Sequence, residues 1–423
     1  MVFKEISELY NMSKVKNPKL AKQGKTAYEW ARTHMDILDN TLNRLKKSKP
    51  LKGVTVAFCL HITKETSVLV MGAKELGANV AVCGGNPLTT QDHIAAFLAT
   101  QGIHIYAWNG QTNKEYDWCI EQVLNHKPSL ICDDGADMNV KVHFDKKFKS
   151  LKVLGSTEET TAGVTRVKAM EKQGKLKYPV IIVNDADTKH MFDNRYGTGQ
   201  STIDGYLRAM GLLFTSKKIV VVGYGWVGRG VAERSRGMGG KVIVTEVDPV
   251  KALEAHMDGF DVMPMSQAAK IGQIFITTTG MTSVIRKEHL LAMKDGAVVG
   301  NVGHFDVEID TKFLLEKSKS VREVRPSLDD CILRNGKKVY LIGKGRLANL
   351  VAAEGHPPEV MAQSFSNQIL SLLYILKNHK KMGTKTMIVP KEIDRQIAVD
   401  ALKAMNVKID TLTKEQRKYA ESW

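Results

Sequence analysis

The stretch that decides the fold runs Lys218-Ile219-Val220-Val221-Val222-Gly223-Tyr224-Gly225-Trp226-Val227-Gly228-Arg229-Gly230 and closes with Lys241-Val242-Ile243-Val244-Thr245-Glu246. The apolar run reads as a buried strand and the glycine series as a tight turn. Val231 to Gly239 has helical composition, Gly239-Gly240 ends it, and the second apolar run is a strand that finishes in a carboxylate. This is a βαβ unit with a dinucleotide fingerprint.

Each residue type has a reason to be there. Gly223 permits the turn, Gly225 lets the backbone approach a pyrophosphate, and Gly228 lets the helix pack closely on the strand. The helix start, with Trp226 and Val227, offers unpaired N–H groups to the anion. Glu246 lies eighteen residues past Gly228, where an acid accepts a hydrogen bond from the ribose 2′-OH, and Val247-Asp248-Pro249 supplies no arginine for a 2′-phosphate. NAD is therefore expected rather than NADP.

Outward from this unit, 423 residues predict two or three domains, and 43% hydrophobic with 25% charged residues is an ordinary soluble composition. No apolar run approaches the roughly 20 residues that span a bilayer, and Met1 to Lys22 is polar and mixed in charge. A cytoplasmic protein with no membrane partner is expected. The cysteines Cys59, Cys83, Cys119, Cys132 and Cys331 are dispersed, with no C-x-x-C pair, so neither a disulfide framework nor a zinc site is expected. No metal is expected at all. The net charge of +16 is spread out; basic runs such as Lys46-Lys47-Ser48-Lys49 carry no interleaved aromatics, and they read as solvated surface rather than as a nucleic-acid strip.

Along the chain, Lys4 to Lys47 has helical spacing and Pro50 ends it. Strands are expected over Val54–Leu60, Ala78–Val82, Ile103–Trp108, Leu130–Cys132 and Pro179–Val183, with helices between them. The alternation predicts a parallel sheet with helices on both faces. Past the cofactor unit, Ile274–Gly280 and Ala297–Gly303 read as strands, and two more are expected around Lys338–Gly343. Glu359–Asn378 is a helix that returns to the first domain. The expected fold class is α/β, with two Rossmann-like, doubly wound parallel-sheet domains joined by a hinge and a small C-terminal arm. Residues 1–197 with 357–389 form the first domain, 198–356 the cofactor domain and 390–423 the arm. The crossings near Asp193–Gly205 and Glu354–Pro358 form the hinge.

The polar residues at strand ends are too many for simple hydride transfer. They comprise His61-Ile62-Thr63-Lys64-Glu65-Thr66, Asp133-Asp134-Gly135, Thr157-Glu158-Glu159-Thr160-Thr161, Asn184-Asp185, Lys189, Phe192-Asp193-Asn194, Asn301-Val302-Gly303-His304-Phe305-Asp306 and Gly355-His356-Pro357. Singly, Asp133-Asp134-Gly135 reads as a turn, Thr157-Glu158-Glu159-Thr160 as a capping box and Lys189 as a solvated side chain. Together and in this order the set resembles the S-adenosylhomocysteine hydrolase family from about Leu51 to Leu412. Through Gly225-Trp226-Val227-Gly228-Arg229-Gly230 and Asp248-Pro249-Val250-Lys251-Ala252 it is most similar to the short branch found in archaea and thermophilic bacteria.

The resemblance implies tightly held NAD, one per subunit, that oxidises a ribose 3′-OH and later returns the hydride. The net reaction it implies is the reversible hydrolysis of S-adenosyl-L-homocysteine to adenosine and homocysteine. Lys189 and Asp193 would act at the 3′-OH, with the lysine a base if its surroundings lower its pKa. Asp134 would be the base at C4′ or organise a water that is. His61 and His304 would serve the leaving sulfur and the water at C5′. Glu159 and Asn184 would hold the ribose and the lysine, and Thr63, Glu65, Thr66 and His356 would border the adenine. The implied cofactor contacts are Thr160, Thr161, Asn194, Gly223, Tyr224, Gly225, Trp226, Val227, Gly228, Glu246, Val247, Thr277, Thr278, Thr279, Asn301, Val302, Gly303, His304, Asn349 and His356. The resemblance also implies a homotetramer.

Four departures stand out. Thr160-Thr161-Ala162 replaces a run of three threonines, Thr198 and Glu354 stand where many relatives carry cysteine and methionine, and the chain lacks a terminal lysine and tyrosine. The rival readings are a catalytically silent NAD-binding regulator, a dehydrogenase that releases NADH, and a hydrolase of the S-inosyl analogue. A carboxylate at Glu65 accepts from the exocyclic amine of adenine and repels the carbonyl of hypoxanthine, which favours the adenosyl substrate.

Overall fold

The computed structural model describes residues 13–423. The expected helix before Ser13 therefore lies outside the described residues. From there on the long helical stretch is divided, into Ala21–Arg32 and Asp36–Leu45, with Met35 buried at the break.

Two eight-stranded sheets organise the chain. The first takes β1 (Lys14–Val15), β2 (Thr55–Leu60), β3 (Asn79–Gly84), β4 (His104–Ala107), β5 (Leu130–Asp133), β6 (Gly155–Glu158) and β7 (Val180–Ile182). The second takes β8 (Lys218–Val222), β9 (Lys241–Thr245), β10 (Asp261–Val262), β11 (Ile274–Thr277), β12 (Ala297–Asn301), β13 (Ser320–Arg325), β14 (Leu328–Ile332) and β15 (Lys338–Ile342). A last strand, β16 (Thr386–Ile388), pairs parallel to β7 and so returns the chain to the first sheet. Val56 to Leu60 and Ile219 to Val222 are buried throughout, as continuous apolar runs must be when helices cover both faces.

The order in the first sheet is β1-β4-β3-β2-β5-β6-β7-β16, and in the second β10-β9-β8-β11-β12-β15-β14-β13. The direction of winding reverses between β2 and β5, and again between β8 and β11. Ligands of open α/β sheets bind at the carboxyl ends of such strands. His61 follows β2, Asp134 follows β5, Gly223 follows β8 and Thr278 follows β11.

Two parts of the pattern differ from expectation. The second sheet is parallel only as far as β15; β14 and β13 are antiparallel, and the pair of strands expected at Lys338–Gly343 is β15 alone. The hairpin escapes a hydrophobic reading because every residue of β13 is exposed. The second difference is β6. No strand is expected over its Gly-Ser-Thr-Glu, whose last two residues open the run read as a capping box, yet all four residues are buried, with the Ser156 hydroxyl donating to Asn139 Oδ1 at 2.8 Å.

Helix Pro358–Met382 lies on the first sheet and buries Phe365, Ile369, Leu372 and Ile375, each worth about 1.5–3 kcal/mol relative to exposure. Helix Lys391–Ala404 adds Ile397 and Ala401 to the same core. Its Asp394 accepts from the backbone N–H groups of Asp187 and Thr188 at 2.8 and 2.9 Å. The chain thus secures the turn just before Lys189. Among the described residues, no helix is long and apolar enough to cross a membrane.

Candidate active site

A single cavity of about 1540 Å3 lies between the carboxyl ends of the two sheets. Thr63 caps helix Lys64–Glu75, accepting from Thr66 N at 3.3 Å, and this start places Glu65 in the first turn facing the cavity. Glu65 is buried. Apart from the Lys64 ammonium at 3.1 Å, its carboxylate oxygens have no partner among the described residues. Burial raises its pKa against the pull of Lys64.

Asp134 sits between two histidines. Its Oδ2 is 3.5 Å from His61 Nε2 and its Oδ1 is 3.4 Å from His304 Nδ1. His61 Nδ1 is in turn 2.8 Å from Thr89 Oγ1, which fixes the ring. Burial lowers both histidines to about 4, opposed by Asp134 at His61 and by Asp137 at His304. Both rings are therefore neutral near pH 7. Burial raises Asp134, with His61 and Lys189 restraining the rise. The three residues each present one ligand atom within 4.8 Å of the others, a three-donor arrangement that the spacing in sequence did not announce.

Lys189 closes the next side. His190–Gly197 is π-helical, and the wider turn brings Asn194, five residues on, against the lysine, with Nζ donating to Asn194 Oδ1 at 2.7 Å. Asp193 and Glu159 oxygens lie 3.0 and 3.5 Å from the same ammonium. The condition under which this lysine would act as a base, a lowered pKa, is not met. Burial acts in that direction, but Asp193 and Glu159 outweigh it and hold the pKa above the ordinary lysine value. Burial would raise Asp193, yet Lys189 and His356 hold it below the carboxylate range. Burial pushes Glu159 up to about 7 against the lysine's attraction. Ser364 Oγ donates to Glu159 at 2.5 Å and Gln368 donates to its other oxygen. The two donors come from helix Pro358–Met382, which was expected only to pack.

His356, expected beside the adenine, lines the cavity with its ring turned to Asp193 through Nδ1 and to Thr198 and Asn349 through Nε2 at 3.2 Å. It thereby links the crossing at 354–358 to the π-helical crossing. That second crossing is helical and runs unbroken into helix Thr198–Met210.

On the second sheet, Gly223 has φ +99° and a β-carbon there would meet Thr279 Cγ2 at 2.8 Å, while a β-carbon on Gly225 would stand in open cavity. Glu246 is at the edge of this turn. Its Oε2 accepts from Tyr224 N and its Oε1 from Val247 N, both at 2.7 Å. Thr160, Thr161, Asn194, Trp226, Val227, Thr278, Thr279, Val302, Gly303 and Asn349 all line the cavity.

Four expected contacts do not line it. The Tyr224 ring is buried against Phe260 with its hydroxyl on Asp258 at 2.6 Å. Gly228 is packed so that a β-carbon would lie 2.1 Å from Gly223 O. Thr277 Oγ1 donates to Asn301 Oδ1, and Asn301 Nδ2 donates to the carbonyls of Gly303, Phe305 and Gly345. These residues shape the walls. Glu308, not anticipated, does the same for Thr278-Thr279-Gly280: it accepts from Thr279 N and Oγ1 at 2.9 and 2.7 Å and from Gly280 N at 2.8 Å.

The family model of S-adenosyl-L-homocysteine hydrolase matches residues 12–154, and that of its NAD binding domain matches residues 194–355. The adenosylhomocysteinase of Saccharolobus solfataricus is 54% identical over 411 residues, 97% of this chain and 98% of that protein. The adenosylhomocysteinase of Sulfurisphaera tokodaii is 55% identical over 97% of this chain and 98% of its own. The S-inosyl-L-homocysteine hydrolase of Methanocaldococcus jannaschii is 52% identical over 97% and 99%. With both halves matched and such identity along nearly its whole length, the chain belongs to the S-adenosyl-L-homocysteine hydrolase family, on its archaeal-like branch.

Proposed function

We propose that the protein reversibly hydrolyses S-adenosyl-L-homocysteine to adenosine and L-homocysteine through 3′-oxidation, elimination, addition of water and re-reduction. One observation carries this reading: the glycine turn with Glu246, and the groups His61, Glu65, Asp134, Lys189 and His304, open into the same cavity. Its volume exceeds the roughly 300–1,000 Å3 of a single small-ligand site, which suits a dinucleotide and a nucleoside side by side.

The cofactor is NAD. The open space at Gly225 is a cradle that a β-carbon would occupy, and the acidic Glu246 suits a free 2′-hydroxyl. Bound there, NAD supplies the reversible removal of the 3′-hydrogen as hydride. The remaining steps belong to side chains. The charged Lys189 donates to O3′ and stabilises its developing negative charge, while Glu159, raised by burial and 3.5 Å from the same ammonium, takes the hydroxyl proton. A 3′-ketone acidifies C4′ because the carbanion is delocalised into the carbonyl. Asp134 removes that proton or orders the water that does. The proton taken from C4′ passes from Asp134 through His61 or His304 to the departing sulfur, and in the second half the same neutral ring takes a proton from the water adding at C5′ and returns it toward Asp134.

Glu65 supports the adenosyl substrate, since its carboxylate, which has only the Lys64 ammonium beside it among the described residues, suits the amine of adenine. Neither a silent regulator nor a simple dehydrogenase has use for the complete set around Asp134. The domains are 1–197 with 357–389, 198–356 and 390–423, a division supported by strands of the first sheet at 14–182 and 386–388 and of the second at 218–342. Closure about the two crossings excludes water from the reactive enone. The exposed Met405, Val407, Ile409, Leu412 and Trp423 support burial of the arm against further copies in a cytoplasmic homotetramer.

The test is to incubate purified protein with S-adenosyl-L-homocysteine, without added cofactor, and follow free thiol and bound NADH together. Thiol release with a small, non-accumulating NADH signal is the expected result. No thiol even with added NAD would discard the adenosyl assignment and move the test to the inosyl analogue.

A further inference from the structure

Two carboxyl groups lie beneath the cavity without lining it. Asp133 and Glu158 are partners in the β5–β6 register, and both are fully buried. Asp133 serves its own loop, accepting from Asn139 N and Nδ2 at 2.7 and 2.9 Å. Glu158 serves two. Its Oε1 accepts from Gly135 N at 2.9 Å and from Thr160 N at 3.1 Å. The first N–H follows Asp134; the second belongs to the residue that opens helix Thr161–Lys172, where Thr160 and Thr161 face the cavity.

The Asp134 loop needs such an anchor. Gly135 and Ala136 both have positive φ, +97° and +61°, and a non-glycine residue in the left-handed region costs about 1–2 kcal/mol. An acceptor aimed at Gly135 N offsets that strain in this one conformation. Space for it is reserved on the next helix, where a β-carbon on Gly163 would stand 2.1 Å from Glu158 Oε1. The other oxygen, Oε2, is buried with no hydrogen-bond partner among the described residues. Burial, then Asp133 and Asp134, push this carboxyl well above the ordinary range, and its contacts to Gly135 N and Thr160 N ask of it only an acceptor, which an amide oxygen also supplies.

We propose that Glu158 is a positioning residue for the reaction, setting the Asp134 loop and the Thr160 loop in register through a single accepting oxygen and not through its charge. The inference rests on the reading of Asp134 as the group acting at C4′. Glu158 touches neither substrate nor cofactor. Its loss therefore uncouples C4′ chemistry from 3′-oxidation and loosens the cofactor.

The experiment uses the NAD-loaded protein with adenosine in D2O. Bound NADH absorbance reads 3′-oxidation, deuterium at C4′ of recovered adenosine reads proton abstraction, and NAD per subunit after gel filtration reads retention. Glu158→Ala is expected to lower C4′ exchange about 30-fold or more relative to 3′-oxidation and to lose NAD. Glu158→Gln keeps an acceptor and is expected to stay within about threefold of wild type. Gly163→Ala, which displaces an unchanged carboxyl, is expected to behave like Glu158→Ala; where that variant fails to fold, the contrast between Glu158→Gln and Gly163→Ala decides. Wild-type ratios and retention in Glu158→Ala, or equal damage in Glu158→Gln, would overturn the inference. Bound NADH without C4′ exchange in the wild-type protein would overturn the reading of Asp134 itself, and this inference with it.

Discussion

Gly135 and His304 meet across the crevice: a β-carbon built on Gly135 would stand 2.3 Å from His304 Nε2. One belongs to the loop after β5 and the other to the loop after β12, so the two sheets approach each other at the point where Asp134 lies 3.4 Å from the same imidazole. Gly135→Ala is expected to hold the loops apart, as well as to strain a residue at φ +97°. Turnover should fall about 100-fold while circular dichroism stays native. A variant with near-normal turnover would show that this contact does not govern the geometry at C4′.

Lys189 is charged because Asp193 and Glu159 flank it. Lys189→Ala removes the donor to O3′, and formation of bound NADH from adenosine should slow about 100-fold or more. Because the glycine turn and Glu246 are untouched, NAD per subunit should remain as in the wild type. Normal NADH formation in this variant would remove Lys189 from the 3′-oxidation step.

Much of this was legible in the sequence because its causes are local. Gly223, Gly225 and the flanking apolar runs dictate strand, turn and helix by their own conformational preferences, and polar clusters at strand ends announce the cavity. The rest depends on partners distant along the chain. Glu158 finds Gly135 across 23 residues and Glu308 finds Gly280 across 28, while Ser364 reaches Glu159 across 205. No pattern around any of these residues reveals the N–H or hydroxyl it will meet. The π-helical turn is likewise silent in composition, and with it the five-residue spacing that brings Asn194 to Lys189. The charge state of Lys189 is open in the sequence for the same reason: nothing around the lysine reveals that the Glu159 carboxylate, thirty residues earlier, will be buried beside it with Asp193.

Base selection tests Glu65. In Glu65→Gln an amide can donate to the carbonyl of hypoxanthine as well as accept from the amine of adenine. The ratio of kcat/KM for S-adenosyl- over S-inosyl-homocysteine is expected to fall about 10-fold or more. Competition assays with both substrates in one tube measure it directly. An unchanged ratio would place base recognition elsewhere in the cavity.

The pH response follows from His61 and His304, both lowered to about 4 from an ordinary 6.5 by burial. Between these values the unfolded chain binds protons that the native state refuses, so this pair lowers stability as pH falls through about 6.5 toward 4. Above 6.5 the pair contributes no pH dependence. Each ring accounts for at most about 3.5 kcal/mol. The imidazole resonances of the two rings, assigned with His61→Asn and His304→Asn, should hold their neutral shifts down to about pH 5; titration near 6.5 would show that the rings are solvated and not buried.

Glu246 does two things at once. As an acid at the end of β9 it faces the cavity, and its oxygens also hold Tyr224 N and Val247 N, so the glycine turn and the strand end are fixed by the same carboxylate. Glu246→Ala removes both the acceptor for a ribose hydroxyl and the anchor of the turn. Hydrogen bonds to charged groups contribute about 1.5–3 kcal/mol, so the dissociation constant of NAD should rise at least about 10-fold. NADP should not restore binding, since no arginine follows at Val247-Asp248-Pro249. Isothermal titration of protein stripped of cofactor gives the constants. Unaltered NAD affinity would mean that the pyrophosphate turn alone holds the cofactor, and tight NADP binding would show that the carboxylate had been the sole barrier to a 2′-phosphate.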